Sequence, residues 1–579
     1  MTKLKDVKKP NIVIIISDQQ TWKQNWDTVW AENNLPAMNK LLKNGLAFNN
    51  AFTNSCTCTA SRATLFTGTF PATHTATQVL AFDDPFNEEN PPKGYTQVMQ
   101  GQLRNNMPNM FEMMEQAGYN VVYKGKWHVS KPTQFVKMKG KGPLKPDIDH
   151  LYWTSKDVSH LEKNYGVKEW NYPDAGDDAN IFNFGGGIFN NDGRFVDGEG
   201  QSALYGKKLP GMSVKESNQK RVEDSALEYI KNYKDDKPLF LVVSLVNPHD
   251  VLSYPGNETM TSPYGIPRNP PLYKLGGYKD DDFMSIDVAL PSTWDEKLNT
   301  KPKIQSTWQE MLQGFGEIKT EEVATNYVKF YAYLTSLVDK EINKVLEALE
   351  KNPKTKDSLI VRVSDHGDMA MSHGMIRQKM FNTYQQTINV PMIFSHLSDP
   401  DMFAGKTTEA FAGLIDLMPT LAEIADIPSK KYTFQGKSLM CILNNPTKKV
   451  QNHVHFTFDD SYIQSAEPQE MGACRIRCII QTKGNQKWKY AVYFDPNYGQ
   501  EIEYEMYDLT NDPEERYNLA FRNIKKVLKR YNASKKEKIK KVFIQKKRQE
   551  LHKLLTKVML EKGTMPATIV WPKVSGEKA

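Results

Sequence analysis

"NIVIIISD", residues 11–18, strings five β-branched aliphatic residues together and stops at an acid. A run this short and this rich in isoleucine and valine reads as a strand buried on both faces, not as a helix. Four more runs share its character: "NVVYKG" (120–125), "PLFLVVSLV" (238–246), "SLIVRVS" (358–364) and "VPMIF" (390–394). Between them lie stretches with helical spacing, such as "MPNMFEMMEQAG" (107–118) and "ATNYVKFYAYLTSLVDKEINKVLEALEK" (324–351). Near-continuous apolar strands alternating with helices predict an α/β fold, its large mostly parallel sheet sandwiched by helices. Further on, "ACRIRCIIQTK" (473–483), "KWKYAVYFD" (487–495) and "YEMYDL" (504–509) alternate as antiparallel strands do. The expected organisation is a large α/β domain over 1–445 with a variable insertion at 130–235. A smaller α+β domain with an antiparallel sheet follows over 446–521, and a basic helical tail over 522–579.

Composition sets the class. The chain has 579 residues, 39% hydrophobic and 25% charged, ordinary values for a soluble globular protein. No stretch approaches the ~20 apolar residues of a membrane-spanning helix. The basic amino terminus leads into an apolar run that ends at an acid without a small-residue cleavage site. It reads as a strand, not a signal peptide, and the expected location is the cytoplasm. "NET" at Asn257 and "NAS" at Asn532 match the glycosylation pattern, which means little without a signal peptide. Five cysteines are too few, and odd in number, for a disulfide framework.

The net charge of +7 is unevenly placed. Residues 522–562 hold 16 lysines and arginines against 3 acids, leaving 59 basic against 65 acidic residues elsewhere. The tail reads as a solvated helical appendage packed by one face. Its alternative reading is a hook for an anionic surface or nucleic acid, though no aromatic interleaving supports base stacking.

Ligands of open α/β sheets bind beyond the carboxyl ends of the strands. Here those ends deliver Asp18-Gln19, Lys126-Trp127-His128, His249-Asp250 and Asp365-His366. Singly, each has an ordinary explanation: an aspartate caps a turn, and a histidine is satisfied in a core. Together they divide into two sets. Asp18, Gln19, Asp365 and His366 are donors that a divalent cation accepts. Lys126, His128, His249 and Lys379 of "IRQKMFN" offer positive charge or hydrogen bonds. A metal among such groups suits an ester of a tetrahedral oxyanion.

"CTCTASRATLFTG", residues 56–68, adds a cysteine at the expected start of a helix, with Ser61 as its cap. Such a position lowers a thiol pKa, yet a thiolate would be repelled by an anionic ester. Cys58-Thr-Ala-Ser61-Arg62, followed by Thr67-Gly68, resembles the signature of the type I sulfatases of the alkaline-phosphatase superfamily. Cys58 matches because Ser61 and Arg62 stand three and four places beyond it; Cys56 has Thr59 and Ala60 there. "GYNVVYKGKWH", "NPHD", "SDHGDMAMSHGMIRQKMFNTYQQTINVPMIF", "GLIDLMPTLAEIADIP" with "FQGKSLM", and "YEMYDLTNDPEERYNLA" resemble further family segments in order.

That resemblance implies a sulfatase cleaving a small-molecule sulfate ester to alcohol and free sulfate. It implies that a maturation enzyme oxidises Cys58 to formylglycine, whose hydrate is the nucleophile. One hydroxyl attacks sulfur, and the second then loses its proton so that the adduct collapses to aldehyde and sulfate. It implies that Asp18, Gln19, Asp365 and His366 hold one divalent metal, Ca2+ or Mn2+, with the modified Cys58. Arg62 and Lys126 then steady the diol with His128, while His249 and Lys379 contact the sulfate.

Asp18-Gln19 stands where many sulfatases have two aspartates, and Asp365-His366 where many have Asp-Asn, which tilts the metal toward manganese. The same residues resemble the phosphonate monoester and phosphodiester hydrolases of the superfamily, the main alternative. A metal- and anion-binding pseudoenzyme with unmodified Cys58 is the alternative of another class, and a thiol enzyme pairing Cys58 with His128 ranks below it. Ala60 replaces the commoner proline of the signature and bears on which maturation enzyme acts. In the insertion, Trp153, Trp170 and the acids Asp174, Asp177 and Asp178 are candidates for an aromatic, acidic wall selecting a cationic alcohol such as choline. The plainer reading is a surface subdomain with its own core.

Overall fold

The computed structural model describes most of the chain; the undescribed stretches are chiefly 81–100, 139–147, 175–219, 257–270, 461–471 and 573–579, with shorter gaps, several of them near the amino terminus. Asn257 and the acids Asp177 and Asp178 therefore lie outside the described residues.

The run that opens the sequence is the strand β1 (Asn11–Asp18), and Ile12 to Ile16 are at most 1% exposed. It sits inside a seven-stranded sheet ordered β10-β2-β9-β8-β1-β7-β4. The other members are β2 (Gly45–Phe52), β4 (Asn120–Gly125), β7 (Leu239–Pro248), β8 (Ser358–Ser364), β9 (Met392–His396) and β10 (Lys406–Gly413). β1 pairs in parallel with β7 and β8, β4 with β7, and β10 with β2; β9 alone runs antiparallel to its neighbours.

Alternation explains the double covering. Ile12, Ile14 and Ile16 face one core with Phe240, Val242 and Val361, whereas Val13 and Ile15 face another with Leu241, Val243 and Ile360. The second core is closed by the long helix Glu321–Lys351, through Val338, Ile342, Val345 and Leu349. Thr320 caps that helix by accepting from Val323 N, and Glu321 and Glu322 occupy its positive end.

A second sheet is ordered β14-β13-β12-β11-β3. β11 (His453–Phe458), β12 (Arg475–Lys483), β13 (Gln486–Phe494) and β14 (Glu503–Asp508) pair antiparallel in succession. Its edge is the two-residue β3 (Ser55–Cys56), which joins β11 in parallel. The chain leading to Cys58 is thereby held by the second sheet, while the strand ends with which it works belong to the first. A short hairpin, β5 (Phe135–Met138) with β6 (Ile148–Leu151), lies in the insertion.

The basic tail forms the helices Ile524–Ala533 and Lys541–Lys562. Ile544, Leu551, Leu555, Val558 and Met559 pack against Trp488, Tyr490, Val492 and Met506 of the second sheet. Most of its lysines face outward, as a helix packed by one face requires. No described helix is long and apolar enough to cross a membrane.

Trp153 and Trp170 correct the idea of an aromatic wall. They pack edge-on, 4.8 Å between centroids, inside the main core and are about 5% exposed. Burial satisfies their large apolar surface, and Trp170 Nε1 donates to Gly125 O at 2.8 Å.

Candidate active site

Cys58 opens the helix Cys58–Thr67, with Thr57 at the cap position. Ser61 is therefore not the cap but sits in the first turn, where its N–H bonds Thr57 O and its Oγ donates to Asp365 O at 2.5 Å. Thr57 makes no side-chain capping bond; its hydroxyl donates to Asp460 Oδ2 at 2.9 Å. The helix ends at Gly68, left-handed at φ 64°, where a side chain would meet Met418.

The strand ends converge as the sequence requires. Cys58 Sγ lies 3.0 Å from His366 Nε2 and 3.8 Å from Asp18 Oδ1. His366 Nε2 is 3.6 Å from Asp18 Oδ1 and 3.8 Å from Asp365 Oδ1. One ligand atom from each of Asp18, Cys58, Asp365 and His366 lies within 4.8 Å of all the others, and all four residues are buried. His366 Nδ1 faces Gly367 O at 3.0 Å. A carbonyl only accepts, so Nδ1 carries the proton.

Arg62 stands behind this cluster, fully buried. Its Nε donates to Asp365 Oδ2 at 2.9 Å, one terminal nitrogen to Asp18 Oδ2 at 3.1 Å, and the other to Lys126 O and Ser244 Oγ, both at 2.8 Å. Lys126 Nζ pairs with Asp18 Oδ2 at 2.7 Å. Each carboxylate thus gives Oδ2 to cations and leaves Oδ1 toward the cluster.

Burial opposes ionisation of Asp18, but the charges of Lys126 and Arg62 hold its carboxyl well below the usual range. Burial likewise pushes His366 down, yet Asp365 and Cys58 outweigh it and raise the imidazole to about 9. The cluster therefore stabilises positive charge at its centre. Burial, then the charge of Lys126, push both His128 and His249 well below the usual histidine range and keep them neutral. His128 Nε2 donates to Leu80 O at 2.8 Å. His249 follows β7, within electrostatic reach of Lys126, Lys379, Asp18 and His366.

Gln19 is held differently from an acid. Its Nε2 donates to Asp368 Oδ2 at 2.7 Å and to Gln378 Oε1 at 3.2 Å, so its Oε1 is left to accept Lys379 Nζ at 2.5 Å. Its main-chain N–H reaches Asp365 Oδ1 at 3.2 Å. Asp368, Ser244 and Asp460 belong to this network without having been singled out in the sequence. Asp368 alone left a trace, three places after Asp365. Cys56 stays apart, its thiol buried with Phe52 and Phe458 and pushed up chiefly by burial. Asp174, expected in an acidic wall, instead spends both oxygens on the backbone N–H groups of Trp127 and His128, at 2.7 Å each.

A mostly parallel sheet that gathers two carboxylates, an imidazole and several cations at its strand ends defines a hydrolase for esters of a tetrahedral oxyanion. The sequence profile described as Sulfatase matches residues 10–427, and the chain belongs to that family: it is a sulfuric ester hydrolase. Mouse (Mus musculus) arylsulfatase K is 23% identical over 520 residues, spanning 88% of this chain and 76% of that protein. Among solved structures, a 2-O GAG sulfatase superposes with a TM-score of 0.57 at 20% identity, over 96% of this chain and 93% of its own. The phosphonate monoester hydrolase of Agrobacterium radiobacter gives 0.55 at 17% identity, covering 96% of each chain. Identities this low establish a shared fold.

Proposed function

We propose that this enzyme hydrolyses a sulfate ester to an alcohol and sulfate, using formylglycine made from Cys58 and one divalent cation. The observation that carries the reading is the buried convergence of Cys58, Asp18, Asp365 and His366 within 4.8 Å. The donors fit a cation: each aspartate leaves Oδ1 toward the cluster, and His366, with Nδ1 bonded to Gly367 O, turns Nε2 there, the nitrogen whose proton a bound cation would displace. Asp18, Asp365 and His366 would hold the metal with residue 58, while Gln19, expected among the ligands, has its Oε1 bonded to Lys379 instead. An imidazole among carboxylates favours Mn2+ over Ca2+, which prefers oxygen alone. The cation supplies Lewis-acid charge, and formylglycine an oxygen nucleophile that a thiol cannot provide.

The chain's own groups then have distinct tasks. Arg62 and Lys126 keep Asp18 ionised and fix the orientation of both carboxylates. Neutral His128 and His249 offer hydrogen bonds without adding charge. With His249 held neutral, Lys379 is left to give the proton to the departing alcohol. Gln19 fixes that amine by accepting from it.

The test pairs peptide mass spectrometry across residues 56–62 with two assays, on protein made in a host that contains a formylglycine-generating enzyme. The expected result is formylglycine at position 58 and a kcat/KM for sulfate esters above that for phosphodiesters and phosphonate monoesters. The reverse preference moves the enzyme to the phosphonate and phosphodiester hydrolases, an outcome the Asp18-Gln19 and Asp365-His366 pairs make worth testing. An intact thiol makes it a pseudoenzyme.

Chelation gives an independent readout. A cation that binds only the folded state stabilises it by about 2.7 kcal/mol at a hundredfold excess over its Kd. Thermal scans should show a Tm that drops after chelation and recovers with Mn2+ more fully than with Ca2+. A Tm indifferent to chelator and to both ions would remove the metal from this reading.

A further inference from the structure

We propose that Asp174 is a positioning residue for catalysis, clamping the turn that carries Lys126 and His128; this rests on the assignment of those two residues to the site. β4 is the edge strand of the main sheet, so the turn beyond it has a neighbouring strand on one side only. Lys168, Trp170, Asn171 and Asp174 take the place of the missing strand. Lys168 O accepts Tyr123 N at 3.0 Å, Asn171 Oδ1 accepts Gly125 N at 2.7 Å, and Trp170 Nε1 donates to Gly125 O. Asp174 ends the series, one oxygen on Trp127 N and the other on His128 N.

These contacts complete the fixing of a turn with little freedom. Lys126 N–H is bound by Ser244 O at 3.0 Å, and Lys126 O by Arg62. His128 is held at φ 55°, in the left-handed region that a residue with a side chain adopts only under constraint. Two successive N–H groups converging on one carboxylate form the kind of concave anion seat that backbone turns provide. With the carboxylate in place, Lys126 is aimed at Asp18 and His128 at Leu80 O; without it, the two amides between and at these residues lose this acceptor. Asp174 touches no reacting atom by this account, so its effect passes through Lys126 and His128.

The test uses the full-length matured enzyme with Asp174→Asn and Asp174→Glu. Asparagine has one acceptor and one donor group, so one of the two N–H groups must face an NH2. Hydrogen exchange of the amides of Trp127 and His128 should speed at least about tenfold in Asp174→Asn, with exchange in β1 and β8 unchanged. A displaced catalytic group can cost about 100-fold in rate, so kcat per formylglycine should fall about 10- to 100-fold with KM nearly constant. Asp174→Glu, which keeps both acceptors, should recover part of both signals and serves if the asparagine variant fails to fold. Unchanged exchange at residues 127 and 128 overturns the clamp. Faster exchange with an unchanged kcat overturns its role in catalysis. A wild-type enzyme inactive on every sulfate ester would instead refute the proposed function, while the exchange readout still tests the clamp.

Discussion

Cys58→Ala should lower kcat on the order of 10^4-fold or more, the scale on which loss of a nucleophile is felt. Cys56→Ala, two residues away, should leave kcat within a few-fold. The structure separates the two thiols. Cys58 Sγ is 3.0 Å from His366 Nε2, in the cluster with Asp18 and Asp365. Cys56 ends the edge strand β3 and packs among Phe52, Phe456 and Phe458. Its truncation leaves a small cavity costing about 1 kcal/mol, without touching the chemistry.

Cys58→Ser sharpens the experiment. A serine hydroxyl can take the sulfuryl group from the ester, the alcohol leaving with a proton, but it lacks the second hydroxyl whose deprotonation would release sulfate. The expected result is a single partial turnover, seen as a gain of one sulfuryl group on the intact protein, and no steady state. Steady turnover by Cys58→Ser, or silence in Cys56→Ala with Cys58 correctly oxidised, would reject the assignment of the nucleophile.

The site was more legible than the scaffold behind it. Asp18, Lys126, His249 and Asp365 stand directly after runs of β-branched residues, and a parallel sheet obliges such positions to meet at one edge. Cys58 could be told from Cys56 by its spacing to Ser61 and Arg62. Other features left no such signal. β2, "GLAFNNAF", is interrupted by two asparagines, and β10, "KTTEAFAG", opens on polar residues, so neither shows a buried strand's pattern. β3 is two residues long, and only its partner β11, about 400 positions away, makes it a strand. Ser61 resembled a cap because serine before a helical run usually is one. The helix starts four residues earlier, with Thr57 at the cap position and its hydroxyl tied to Asp460, a contact with no local trace. Asp174 looked like part of an acidic surface, since composition cannot tell a carboxylate bound to backbone amides from one facing solvent.

Arg62→Lys should cost about 3 kcal/mol of stability and about 10^3-fold in kcat/KM, although the charge is conserved. The argument turns on geometry. Arg62 is 0% exposed and makes four directed bonds, to Asp365 Oδ2, Asp18 Oδ2, Lys126 O and Ser244 Oγ. The planar fork spans two carboxylates at once and turns the Oδ1 atom of each toward Cys58 and His366. A lysine concentrates its donors on one nitrogen at the end of a flexible stem. It can reach one carboxylate well, or both poorly. The neglected carboxylate then stays in a site that excludes water, where an unpaired charge costs several kcal/mol. Lys126 can still support Asp18, at 2.7 Å, so the larger loss should fall on Asp365. Denaturant unfolding with unchanged m-values, and kcat/KM per formylglycine, separate the two effects. If Arg62→Lys stays within tenfold of wild type on kcat/KM and loses no stability, Arg62 supplies only charge, and the geometric account fails.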